Sequence, residues 1–353
     1  MKGSTLGRLA VGSCALGLCA YLVAASGVGG YHLLKKVPLG ASPGGGEYFD
    51  YITVDPAARR VYLSHGTEFK VLNADSLAVA GTISGDFKHN HGMAVVPELS
   101  KGFISDGELE QAFVVDLKTF KTTGVVKADK DADYILYDPG SKRVFVFNGG
   151  AHTATVIDPA TSAVVGTIPL GGQPEQAVAD GKGMVYDNIA STNEVVAIDA
   201  RALKVTARWS VAPSGQPTSI AMDRQHRRLF VGGRNPKMLV MMDADSGKVI
   251  GQPFPIGDRV DANIFDPQAG MVAAATREGT IHIFHEDSPD KLTEVETVKT
   301  EFGAKTMGFD PKTHRLFVTT SDFDPAPPPT EKQRNPQPVA KPGTFRVLIY
   351  GRG

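Results

Sequence analysis

Asp55-Pro56-Ala57-Ala58-Arg59-Arg60-Val61-Tyr62-Leu63 is a turn that runs straight into a β run, and the chain writes it repeatedly. The Asp-Pro-x-x-x-Arg mark returns at Asp138-Pro139 to Arg143 and at Asp310-Pro311 to Arg315, and its Asp-Pro half at Asp266-Pro267. Weaker copies stand at Val96-Pro97, Asp180-Gly181 and Asp223-Arg224. The marks, at 55, 96, 138, 180, 223, 266 and 310, lie 41 to 44 residues apart. A period in the low forties with several strands per unit is the signature of a β-propeller. The expected fold is therefore all-β: a seven-bladed propeller of four-stranded antiparallel blades.

The third unit shows what each repeat builds. Tyr134 to Tyr137 is an apolar run, and Asp138-Pro139-Gly140-Ser141 is turn chemistry. Arg143 to Phe147, Ala154 to Ile157 and Val164 to Ile168 follow as β runs between Gly, Pro, Asn and Asp clusters. Many runs are apolar on both faces, as stacked blades require. The last unit ends at Phe345 to Tyr350, which matches a third strand and leaves a fourth missing. Leu33-Leu34-Lys35-Lys36-Val37-Pro38-Leu39-Gly40 resembles the fourth-strand segment Val164-Val165-Gly166-Thr167-Ile168-Pro169-Leu170-Gly171. Residues 32–37 are thus predicted to form the outer strand of the seventh blade, closing the ring and removing an unpaired edge.

These turns, the runs Val61-Tyr62-Leu63, Val144-Phe145-Val146, Leu229-Phe230-Val231 and Leu316-Phe317-Val318, and the ending Asp243-Ala244-Asp245-Ser246-Gly247-Lys248-Val249 resemble the YVTN-repeat, YncE-like propellers of bacteria. The resemblance covers roughly residues 32–350; the literal Tyr-Val-Thr-Asn tetrapeptide is absent. It implies the propeller fold and a binding role, and names no activity.

Residues 1–25 differ in kind. Lys2 and Arg8 precede an uncharged run from Leu9 to Ala25, and Val23-Ala24-Ala25 offers small residues for cleavage. That pattern reads as a secretory signal peptide, followed by a linker at 26–31 and the propeller at 32–353. The competing reading is an uncleaved membrane anchor, since the uncharged stretch continues to Gly30. Both cysteines, Cys14 and Cys19, fall in this segment, so disulfides have no part in the mature domain. A periplasmic or secreted monomer is expected. Lys and Arg number 37 against 38 Asp and Glu. This balance gives no footprint for a nucleic-acid partner.

Function in propellers usually sits at one mouth of the central channel. The position five residues before each mark gives Asp50, His91, Asp133, Glu175, Thr218, Asp261 and Lys305, an equivalent place around the axis. Carboxylates about 8 Å apart at an effective dielectric near 20 repel by about 2 kcal/mol per pair. Lys305 offers partial relief, and a bound cation would offer more. Asp50, Asp133, Glu175 and Asp261 are candidate ligands for Ca²⁺ or Mg²⁺, and His91 would admit Zn²⁺. Three readings follow: a wet polar mouth, a pocket for a small molecule or protein, and a lactonase-like hydrolase or lyase with His91 as general acid or base.

A second, outer set comes from the loops after each second strand: His65, Asp106, Asn148, Asn188, Arg234 and Arg277. On the same face the seventh unit carries a Pro-rich insertion at 322–343, read as a partial lid, a docking segment or a solvated loop. No Cys-x-x-Cys-His, Gly-x-Ser-x-Gly, His-Glu-x-x-His or phosphate-loop motif is present.

Overall fold

A computed structural model of the chain describes residues 30–44, 47–330 and 336–352, with Met1, Gly3 and Arg334. The export segment read at 1–25 lies, apart from Met1 and Gly3, outside the described residues. The protein is a β-propeller built from antiparallel four-stranded meanders. Among the described residues the one helical element is the short turn Pro97–Leu99, and no helix is long and apolar enough to cross a membrane.

Five sheets have four strands each, and a sixth has eight. The eight-stranded sheet is two meanders, over 52–84 and 90–127, joined by a single parallel pair, Ser84 with Lys121. Divided there, the chain forms seven four-stranded blades in step with the sequence repeat. In the third blade the strands are Ala132–Asp138, Arg143–Asn148, Thr153–Asp158 and Ala163–Pro169, each extending its predicted run by one to three residues. The innermost strands touch in turn around the axis, and the last, Met307–Asp310, touches both Val260–Asp266 and the first, Ile52–Asp55. The ring is closed.

Blades stack through apolar side chains on both faces of their middle strands. Phe145, Phe147, Ala154 and Val156 of the third blade pack against Val185, Ile189, Val196 and Ile198 of the fourth, all essentially without exposure. Burying each such large side chain stabilises by about 1.5–3 kcal/mol. Trp209 serves this packing at the edge, stacked beside Tyr186 at 6.1 Å. Gly247 lies under its indole: a Cβ there would sit 1.9 Å from Trp209 Cγ, and its φ of +71° independently favours glycine.

The aspartate of the repeat mark caps its own turn. Asp55 Oδ1 accepts the amides of Ala57 and Ala58 at 3.0 Å each, Asp138, Asp223 and Asp266 accept the matching amides of their turns, and Asp180 accepts those of Lys182 and Met184. In three blades the residue four positions on has positive φ and reaches the capping Asp of the preceding blade. Arg227 contacts Asp180 at 3.3 Å, His314 contacts Asp266 at 2.5 Å, and Arg59 forks onto Asp310 at 2.7 Å through both nitrogens. The Arg59 contact spans the seam between the first and last blades. Burial opposes ionisation of Asp310, yet Arg59 holds its carboxyl down to about 2.

The predicted closing strand is present and runs from His32 to Gly40, three residues beyond the expected end. It pairs antiparallel with Phe345–Gly351, with Val37 opposite Val347 and Pro38 opposite Arg346. Tyr31 anchors its start, buried in the cluster between blades six and seven. Its amide donates to Glu296 at 2.9 Å and its hydroxyl to the His314 carbonyl at 3.0 Å.

Candidate functional site

The seven positions picked out by the repeat register do lie at one end of the channel. Five sit on inner strands, and each of those strands breaks its pairing register at that point. The breaks fall between Asn90 and Met93, Ala132 and Ile135, Pro174 and Ala177, Pro217 and Ser219, and Val260 and Ala262. A β-bulge re-aims the extra side chain. Here it frees His91, Asp133, Glu175, Thr218 and Asp261 from the flat ladder. Asp50 and Lys305 stand just ahead of their strands, which begin at Ile52 and Met307.

Six of the seven are joined by electrostatics. Lys305 Nζ lies between Asp261 and Asp50, 3.2 Å from Asp50 Oδ1 and closer to Asp261. Asp50 Oδ2 is 2.9 Å from His91 Nδ1, which is 3.1 Å from Asp133 Oδ1. Arg234, from the outer set, pairs with Asp261 from the other side. The chain Arg234–Asp261–Lys305–Asp50–His91–Asp133 therefore runs around most of the mouth. Glu175 joins it only through the longer-range field of Asp133, Arg234, Asp261 and Lys305.

The protonation states follow from this geometry. Burial disfavours charge on Asp50, but Lys305 and His91 hold its carboxyl well below the usual range. Burial also opposes charge on His91, but Asp133 and Asp50 outweigh it and raise the imidazole to about 10. Lys305 is likewise raised against burial by Asp261 and Asp50. Asp133 is raised by burial against the pull of His91. Glu175 is pushed up to about 8 by burial, then by Asp133, so it holds its proton at neutral pH. Three cations thus face Asp50, Asp133 and Asp261, and the fourth carboxyl is neutral.

Thr218 does not belong to this network. It is buried and donates Oγ1–H to the Val260 carbonyl at 2.6 Å, tying blade five to blade six. Sequence reading also missed two members. Tyr48 donates its hydroxyl to Asp50 Oδ2 at 2.9 Å and lies 2.8 Å from His91 Nδ1, while His89 packs on its ring at 3.9 Å. Tyr48 stands two residues before Asp50, an alternation that would have revealed it. Asp187 is wholly buried, with no hydrogen-bond partner of normal geometry for either oxygen, and burial followed by Glu175 raises its carboxyl well above the usual range. Its signal was an acid inside the otherwise apolar strand start Met184-Val185-Tyr186.

Of the outer set, three hold the framework. His65 bonds Glu47 at 2.7 Å and stacks on Phe345 at 3.9 Å. Asp106 accepts the amides of Lys88, His89 and Leu109, and Asn148 donates to Thr153 and Thr155. Asn188 is buried with neither side-chain polar atom bonded. Arg277 turns away from the axis toward the insertion, where Gln337 accepts from it at 2.9 Å. The described residues of the insertion form a short hairpin, Phe323–Asp324 with Val339–Ala340; Gln337 meets Arg259 and Arg277 of blade six, and Phe323 lies beside Phe49 at 6.4 Å.

Beneath the ring, Tyr51 and Tyr134 meet edge to face at 4.8 Å inside the channel. Both line a cavity of about 310 Å³ with Thr53, Asp55, Gln176 and Met307, which runs toward the turns at the other end. The ring residues themselves do not line it.

As ion ligands, Asp50, His91 and Asp133 have donor atoms within 4.8 Å of one another. The fit of a divalent cation is poor, because His91 Nδ1 is the atom already shared between the two carboxylates and Tyr48. A metal would displace that proton, and Asp261 already has Lys305 and Arg234 as partners.

Fold and mouth together define a β-propeller of four-stranded blades. No protein-family model matches the chain, and no curated protein matches it. Among solved structures it is similar to a chain of hydrazine synthase from Kuenenia stuttgartiensis, with 14% identity over 82% of this chain and 95% of that one and a TM-score of 0.67. It is also similar to a chain in a crystal structure of a mitotic checkpoint complex, with 11% identity, 99% and 98% coverage and a TM-score of 0.71. At these identities the likeness carries the fold alone.

Proposed function

We propose that the chain is an exported, non-enzymatic propeller of the YVTN-repeat type that acts as a ligand-binding or protein-interaction module at its channel mouth. The observation that carries this is the pairing of the ring carboxylates with the protein's own Arg234, Lys305 and His91. A ring that neutralises itself has little electrostatic demand for a divalent ion. His91 as an imidazolium between two carboxylates keeps its proton to about pH 10, so it is already protonated near neutral pH and is not available there as a general base. Export rests on the pattern of residues 1–25 and the balanced composition of the rest.

The second reading, a cation-dependent lactonase-like hydrolase or lyase, draws on the Asp50, His91 and Asp133 cluster. One experiment separates the two. The purified chain from residue 26 onward is assayed with a simple lactone in the presence of EDTA, Ca²⁺, Mg²⁺ or Zn²⁺. The binding reading expects no turnover above background in any of them. Metal-dependent turnover that disappears in His91→Ala would instead establish the enzyme.

A further inference from the structure

On the same face as the ring, but off the axis, the insertion and blade six line an open pocket of about 320 Å³. Two guanidinium groups converge there on one neutral oxygen. Arg259 Nη1 is 2.5 Å from Gln337 Oε1, and Arg277 Nη1 is 2.9 Å from the same atom. Among the described residues Arg277 makes no ion pair, and of the two acids that share this lining, Asp258 and Glu278, Asp258 reaches Arg259 only at the limit of contact, 4.0 Å. Asp258 is also 3.6 Å from Lys237, and its amide donates to Glu278 Oε2 at 2.7 Å, so both acids have other engagements. Burial lowers the Arg277 pKa, and the like charge of Arg259 lowers it further.

The walls have a second character. Arg277 Cζ lies 5.5 Å over the ring of Phe302, which is 44% exposed, and Phe323 braces that ring at 5.1 Å. Pro336 and Pro338 line the insertion side. The volume is at the lower end for a small-molecule site, and apolar walls with a few convergent polar groups are its usual make-up.

We propose that Arg259 and Arg277 form a binding site for a carboxylate that carries a flat apolar body, with the Gln337 amide oxygen occupying the place of one carboxylate oxygen. A carboxylate supplies two charged oxygens where the amide supplies one neutral oxygen, so each guanidinium gains a charge-assisted bond of roughly twice the strength. The apolar body rests against Phe302 and the two prolines. The carboxylate comes either from a free small acid or from an acidic side chain of a protein partner. No ring residue takes part, so this site and the reading of the ring stand or fall separately.

The test titrates the chain from residue 26 with benzoate, with the blocked tripeptide acetyl-Ala-Glu-Ala-amide, and with benzylamine, following backbone amide shifts. Saturable shifts at Arg259, Arg277 and Phe302 are expected with at least one acid and not with the amine. Tighter benzoate binding assigns a free aromatic acid, and tighter peptide binding assigns a protein side chain. Arg277→Gln is expected to weaken binding about tenfold or more, by loss of one charge-assisted bond. Gln337→Ala lies in the insertion, outside the blades, and is expected to tighten binding about threefold by removing the competing oxygen. Absence of saturable shifts with both acids, or equal affinity in wild type, Arg277→Gln and Gln337→Ala, would overturn the proposal.

Discussion

Removing residues 31–40 from the chain is expected to lower stability by on the order of 5 kcal/mol, seen as a drop in Tm of roughly 10 °C. Three losses combine. The ladder between His32–Gly40 and Phe345–Gly351 disappears, leaving the last strand as an open edge. Tyr31, buried between blades six and seven, loses both its packing and its two hydrogen bonds. The half-buried Val37 and Leu39 leave the apolar cluster shared by blades one and seven. A second consequence is association, since an unpaired edge strand templates pairing with another chain. The truncated protein is therefore expected to elute as oligomers in size-exclusion chromatography. An unchanged Tm and a monomeric elution would show that the ring is held shut elsewhere, with the Arg59–Asp310 fork at the seam as the alternative clasp.

The second large effect is expected at Lys305. Its ammonium separates Asp261 and Asp50, whose side chains are 5% and 7% exposed. Replacing it by methionine keeps the length of the side chain and removes the charge. Without Lys305, two cations, Arg234 and His91, face three carboxylates, a cost of about 3 kcal/mol, or roughly 6 °C in Tm. Adding Asp261→Asn to Lys305→Met is expected to recover part of the loss, because Arg234 and His91 then face two carboxylates, Asp50 and Asp133, instead of three. Equal stability of Lys305→Met and wild type would mean that solvent, not Lys305, neutralises the ring.

Much of the fold was legible because its determinants are local. The capping aspartate acts on amides two and three residues away, so the same few letters recur wherever the turn recurs. The closing strand was legible because Leu33 to Gly40 copies the wording of a complete blade. Counting five back from each mark also found the ring. What could not be read is set by partners distant in sequence. The bulges that turn His91 or Asp133 out of the ladder depend on cross-strand pairing, not on those residues alone. Arg234 lies 27 residues before Asp261 and was placed in an outer set. The seam contact is made by Arg59, whereas the repeat drew attention to its neighbour Arg60. The sequence suggested a bound cation to relieve crowded carboxylates; in the structure three side-chain cations stand among them, and Thr218 is turned into the framework.

The protonation of His91 tests this account of the ring most directly. Its folded pKa of about 10 lies above the unfolded value near 6.5. Stability from its pairing is thus fully present below about pH 6.5 and is lost as pH rises through about 10. Ring nitrogen shifts of His91, recorded by NMR from pH 5 to 11 with and without excess Ca²⁺, Mg²⁺ or Zn²⁺, read this state. The ion-paired ring predicts an imidazolium, both nitrogens protonated, unchanged from pH 5 to about 9 and indifferent to the metals. A neutral His91 at pH 7.5, or a shift of its Nδ1 signal on adding a metal, would contradict it.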